Sequence, residues 1–127
     1  MPVVIIDGKV RIVTDLTEAS GTDPVTLYTC MPPYNKFILK KVLVYNRDSA
    51  DHDVILGEYD TTASAWNRNI LRIPVLAGQM VTLTEDDIPA DFVMTTDPAS
   101  AILAWACMLE AAITANPVLV KVELEVG

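Results

Sequence analysis

The chain has 127 residues, of which 51% are hydrophobic and 20% charged, and a formal net charge of −8. That length makes one domain, 1–127, with room for a real core, and the composition is too apolar for a disordered chain. Nine basic residues, scattered apart from Lys40-Lys41, argue against a nucleic-acid partner, which requires clustered Lys and Arg.

In chain order, Val3–Ile6 and Lys9–Val13 are apolar runs around Asp7-Gly8. That is a strong hairpin signal, because a type I′ turn needs two residues tolerant of positive φ. Residues 15–23 read as a loop and Pro24–Cys30 as a strand, stopped by Met31-Pro32-Pro33 because prolines donate nothing to a ladder. Lys36–Tyr59 is predicted to hold a hairpin of two long strands at the centre of the fold, turned at Asn46–Asp53 where turn formers concentrate. Strict alternation in its first arm places Phe37, Leu39, Lys41, Leu43 and Tyr45 on one face. Ile38, Lys40, Val42 and Val44 then take the other.

A polar connection, 60–69, carries Trp66. Strands are predicted at 69–76 and 79–84 about an Ala77-Gly78 turn, and a short one at 91–95. The closing strand, Pro117–Val126, alternates without a break: Val118, Val120, Val122, Leu124 and Val126 face one way, Leu119, Lys121, Glu123 and Glu125 the other. Between them lies a segment with two readings. Residues 98–115 have helix formers, with Asp97 as N-cap and Pro98 at the first helical position. Yet the segment is apolar all round, which suits a doubly buried strand at Ala101–Met108 better than a flanking helix. Turn signals at short intervals among these strands predict an all-β, antiparallel β-sandwich of jelly-roll type.

Chemistry-bearing residues are sparse. His52 is the only histidine, which excludes multi-histidine metal sites, and it reads as a solvated residue at the hairpin tip. Asp48, Asp51 and Asp53, and again Glu85, Asp86, Asp87 and Asp91, are acidic clusters without EF-hand spacing and read as turn formers rather than calcium ligands. No cofactor and no metal are expected, and neither is enzymatic activity. Tyr59 and Trp66 keep a carbohydrate- or ligand-binding sandwich open as an alternative function. Cys30 and Cys107, far apart in sequence, read as buried small hydrophobes, with a disulfide between them left open. Met1–Asp7 has no basic n-region and only a short apolar run, so no signal peptide is expected; nor is a membrane span, and synthesis is placed in a cytoplasm.

The runs FILKKVLVYNRDSADHDVILG, IPVLAGQMVTL, AILAWACM and PVLVKVELEV, in that order from Thr26 to Val126, resemble the small β-sandwich structural proteins of tailed-phage virions, the decoration, head–tail and tail accessory subunits. The resemblance implies a strand at AILAWACM, a virion location and a non-enzymatic role, docking on a larger protein assembly such as a capsid. The apolar excess points the same way: outward residues Phe37, Leu39, Leu43, Tyr45, Ile102 and Met108 form a candidate self-association face of a homo-oligomer. A trimer is favoured on the resemblance.

Overall fold

The computed structural model describes residues 3–6, 9–30, 36–89, 92–95 and 103–127. Eleven strands are found there: β1 (Val3–Ile6), β2 (Lys9–Leu16), β3 (Val25–Thr29), β4 (Lys36–Asn46), β5 (His52–Asp60), β6 (Ala65–Trp66), β7 (Leu71–Val75), β8 (Met80–Leu83), β9 (Val93–Thr95), β10 (Leu103–Leu109) and β11 (Val118–Val126). Among the described residues there is no helix, and 103–109 is a strand; Ala101 and Ile102 lie outside them. Propensity favoured a helix here, but Ala104, Trp105, Ala106 and Cys107 are buried in succession, so both faces of the strand are covered, which a lone helix beside a sandwich could not offer.

Two antiparallel sheets result. The front sheet runs β1-β2-β11-β4-β8, with β9 also on β4; the back sheet runs β3-β10-β5-β6, with β7 also on β5. Omitting the short β6 and β9, the chain from β2 onward visits front, back, front, back, back, front, back, front. The stacked orders β2-β11-β4-β8 and β3-β10-β5-β7 are those of an eight-stranded jelly roll. The N-terminal hairpin is present, Ile6 opposite Lys9, while Asp7 and Gly8 lie outside the described residues. The core sits between the sheets, from Ile12, Leu16, Val118, Val120, Val122 and Leu124 in front to Val54, Leu56, Trp105, Cys107 and Leu109 behind. The β11 alternation is as the sequence predicts, odd positions exposed or half-buried and even ones buried.

Two expectations for the central stretch need correction. β4 and β5 are not a hairpin: β4 pairs with β11, β8 and β9, whereas β5 pairs with β10, β6 and β7, so residues 47–51 form an arch from one sheet to the other. Secondly, β4 does not alternate strictly. Its register against β11 shifts between Glu123, opposite Lys41, and Leu124, opposite Leu39, leaving Lys40 as the extra residue of a β-bulge. The bulge reverses the phase, so Phe37 and Leu39 point inward before it and Val42, Val44 and Asn46 after it.

Candidate functional site

The bulge also decides what the front sheet shows to its outside. Phe37 and Leu39, placed by the sequence on an outer face, are buried core residues at 0% and 2% exposure and belong to no surface. Leu43 and Tyr45 do face out, half-buried. Met108 is half-buried on the outside of the back sheet, opposite Ile55, and Ile102 lies outside the described residues. The five of the predicted residues that are described therefore do not form one face.

The surface that does form is read from the cross-strand register. One row across the front sheet is Met80–Tyr45–Leu119–Asp15, and the next is Thr82–Leu43–Lys121–Val13. Directly opposed side chains in such rows are in contact range. Met80 is 56% exposed, which makes the first row an open apolar edge rather than a covered one. A third row, Lys41–Glu123–Arg11, carries charge. Arg11 Nε lies 3.4 Å from Glu123 Oε2, and a shallow cavity of about 230 Å³ opens among Arg11, Lys41, Leu43, Lys121 and Glu123. Among the described residues, neither Lys41 nor Lys121 has an ion-pair partner, whereas Lys40 reaches both Glu85 (3.5 Å) and Glu125 (3.8 Å).

At one end of the sandwich four inter-sheet arches, 17–24, 47–51, 76–79 and 110–117, come together, and the Asp48 carboxylate ties two of them, 47–51 and 110–117. Asp48 accepts hydrogen bonds from Thr114 N (2.9 Å), Thr114 Oγ1 (2.9 Å), Ala115 N (2.8 Å), Asn116 N (3.1 Å) and His52 Nε2 (2.7 Å). Its own N–H donates to Asn46 Oδ1, whose amide donates to Ala50 O and Val75 O. Gly78 N donates to Asn46 O and Ala77 N to Asp51 Oδ1, bringing in the 76–79 arch. Burial pushes the Asp48 carboxyl up, but donation from His52 and from the N–H groups of Thr114, Asn116 and Ala115 outweighs it and holds the group far below the usual carboxylate range. His52 is thus not the solvated tip residue the sequence suggested: it is buried, with Nε2 spent on Asp48 and Nδ1 without a hydrogen-bond partner among the described residues. Asp48, which holds it, is itself fixed by backbone some sixty residues away in sequence, beyond any local pattern.

The remaining candidates go to separate duties. Asp53 and Glu110 both pair with Arg72, and Asp51 caps the 76–79 arch, so the hairpin-tip carboxylates do not converge on one point. In the later loop Asp87 accepts from Thr84 N and Oγ1, Glu85 turns to Lys40, and Asp91 lies outside the described residues. Tyr59 and Trp66 pack edge to face, centroids 5.2 Å apart and planes at 71°, which is an aromatic pair rather than a flat stacking platform. Cys30 and Cys107 are free and buried. Burial pushes the Cys30 thiol up to about 12, with the Glu58 carboxylate adding to the rise and a backbone hydrogen bond at Trp105 opposing it; burial alone takes Cys107 to about 12.

Sequence reasoning missed Glu58 altogether. It is fully buried on β5, accepting from Asn67 Nδ2 (2.5 Å) and Asn69 Nδ2 (3.1 Å), with Arg68 Nε at 3.5 Å. The run Asn67-Arg68-Asn69 beside a strand end was its only signal.

No protein-family model and no curated protein matches the chain. Among solved structures it is similar to the virus-like particle of the extra small virus of the giant freshwater prawn Macrobrachium rosenbergii, at 18% identity and a TM-score of 0.40, over 99% of this chain and 83% of the other. It is also similar to Bacillus endospore appendages, disulfide-linked pili, at 14% identity and a TM-score of 0.35, over 96% of this chain and 90% of the other. Both likenesses are too distant to define a family, and neither is to a tailed-phage protein.

Proposed function

We propose that this chain is a non-enzymatic structural subunit that works by self-association, building or decorating a larger protein assembly of the virion kind. The jelly roll alone does not choose this role, since capsid, lectin and cupin domains share it. What carries the reading is the Met80–Tyr45–Leu119 row with Leu43 beside it, an apolar strip on the outside of a sheet whose inner face already fills the core. A sheet face turned to water normally alternates to polar residues there, and an apolar strip rimmed by charge marks a protein contact. Decoration or head–tail attachment is the form of assembly favoured, with a cyclic homo-oligomer, a trimer first, as the unit.

Size-exclusion chromatography with light scattering tests this. The expected result is a discrete homo-oligomer at micromolar concentration, shifted toward monomer by Tyr45→Lys with the melting temperature retained. A monodisperse monomer at every concentration would overturn the reading.

A further inference from the structure

The charges of this protein are unevenly shared between its two sheets. Six of the nine basic residues, Lys9, Arg11, Lys36, Lys40, Lys41 and Lys121, stand on β2, β4 and β11 of the front sheet, against Asp15, Glu123 and Glu125 on the same strands and Glu85, which reaches Lys40 from the loop after β8. Outside those three strands the chain carries three basic residues and fourteen acidic ones. A molecule of net charge −8 thus turns an excess of positive charge outward on one sheet, beside an apolar row. That polarity constrains which copy-to-copy contacts are favourable. A two-fold contact of front sheet on front sheet opposes like charge to like, because an isologous interface presents the same patch from both sides. A head-to-tail contact avoids the repulsion.

The arch end has the complementary makeup. Asp51, Asp53 and Glu110 border a recess of about 220 Å³ there. Arg72 pairs with Asp53 and Glu110, and Arg47 in the 47–51 arch turns to Asp15 and Pro117 O, so among the described residues the carboxylates beside the recess outnumber the cation paired with them. Leu76, 59% exposed in the adjoining arch, adds an open apolar side chain. Carboxylates beside an apolar residue match cations beside an apolar row. A nucleic-acid backbone would satisfy Lys41 and Lys121 but leave Met80, Tyr45 and Leu119 uncovered, whereas a protein surface of this composition covers both.

We propose that the outer face of the front sheet, apolar along Met80–Tyr45–Leu119 and cationic at Arg11, Lys41 and Lys121, receives the acidic arch end of a second copy around Asp51, Asp53 and Glu110. The contact is heterologous, so it closes into a ring if the rotation between copies permits and grows into a filament if it does not. This rests on the self-association reading and specifies its surfaces.

Analytical ultracentrifugation of three proteins tests it: the wild type, Lys41→Glu/Lys121→Glu, and Asp53→Lys/Glu110→Lys, each alone and the two variants mixed in equal amounts. All four positions are exposed or half-buried, and a melting curve of each variant verifies the fold. Each variant alone is expected to associate at least about tenfold more weakly than wild type, because opposed charges become like charges. The mixture is expected to regain association, since each variant then meets its complement. Wild-type association should also weaken as sodium chloride is raised. Variants that associate like wild type would overturn these surfaces while leaving self-association standing. Weakened variants that do not recover on mixing would overturn the head-to-tail pairing. A wild type that never associates overturns both this and the reading beneath it.

Discussion

Gly57 offers a sharp test of how the back sheet is closed. It lies on β5 opposite Ala106, and the chain at 67–70 folds back across it. A Cβ added there would stand 2.8 Å from Asn69 O and 2.9 Å from Ile70 Cα, both backbone atoms that cannot swing aside as a side-chain end would. Making room requires lifting that segment by several tenths of an ångström. It is held by Asn67 N donating to Glu58 O (2.9 Å) and Glu58 N donating to Arg68 O (3.2 Å), and by Asn69 at φ 55°. Overpacking costs roughly 1–3 kcal/mol and each weakened hydrogen bond about 1 kcal/mol, offset by about 0.4–1 kcal/mol from the stiffer unfolded chain. Gly57→Ala should therefore destabilise by about 2–3 kcal/mol, which for a chain of this length is a fall of roughly 8–12 °C in melting temperature. Gly78 is the contrasting case: nothing lies within 4 Å of an added Cβ, but its φ is +74°. There the cost is conformational, about 1–2 kcal/mol for Ala and less for Asn, which tolerates that region. Thermal unfolding followed by circular dichroism reads both. A Gly57→Ala protein as stable as wild type, or Asn proving milder than Ala at Gly57 as it should at Gly78, would refute the close-approach account.

Burying a charge on β11 should be far worse than removing one: Val122→Asp is expected to cost several kcal/mol, about 3–5, and Lys121→Ala less than about 0.5, measured by urea unfolding. Asp48 has a folded pKa held below its unfolded value, so its contribution is present above the unfolded pKa, near ~4, and drains away as the pH falls below it. The wild type should then lose melting temperature between about pH 5 and 2 more steeply than Asp48→Asn, which starts lower; parallel curves would contradict the role given to this carboxylate. For the thiols the sign is opposite: pKa values raised to about 12 at Cys30 and Cys107 give stability that is complete below the unfolded value near ~8.5 and lost as the pH rises toward 12. Neither thiol should react with a maleimide at neutral pH until denaturant is added, and rapid labelling of the folded protein would show the burial to be wrong.

How much of this was legible depended on range. β11 could be read outright because its period of two runs unbroken and its core face is entirely Val and Leu. The same rule applied to β4 gave the wrong face for Phe37 and Leu39, since a bulge is a property of the pair of strands and its partner, Glu123–Leu124, is eighty residues downstream. A trace was present: Lys40-Lys41 in an otherwise apolar strand cannot both face out under strict alternation, and an extra residue lets them do so. The arch at 47–51 looked like a hairpin turn because Asn and Asp favour both; what distinguishes them is long-range, the pairing of β4 with β11 and of β5 with β10, and Asp48's capture of the 114–116 backbone. The apolar row proposed as an assembly surface was half-seen through Leu43 and Tyr45, while Met80 and Leu119 joined it by register alone.

The position of β11 between β2 and β4 bears on how the chain reaches its fold during synthesis. The front sheet has its two halves waiting on either side of a strand that is made after the other ten. Until then β2 and β4 each present a row of unpaired N–H and C=O groups, and five apolar side chains that finish the core are missing. Such a nascent chain is sticky at both open edges, so the interval before β11 arrives is when misassembly is most dangerous. Insertion of that strand closes both edges at once, which leaves little room for a stable half-folded form.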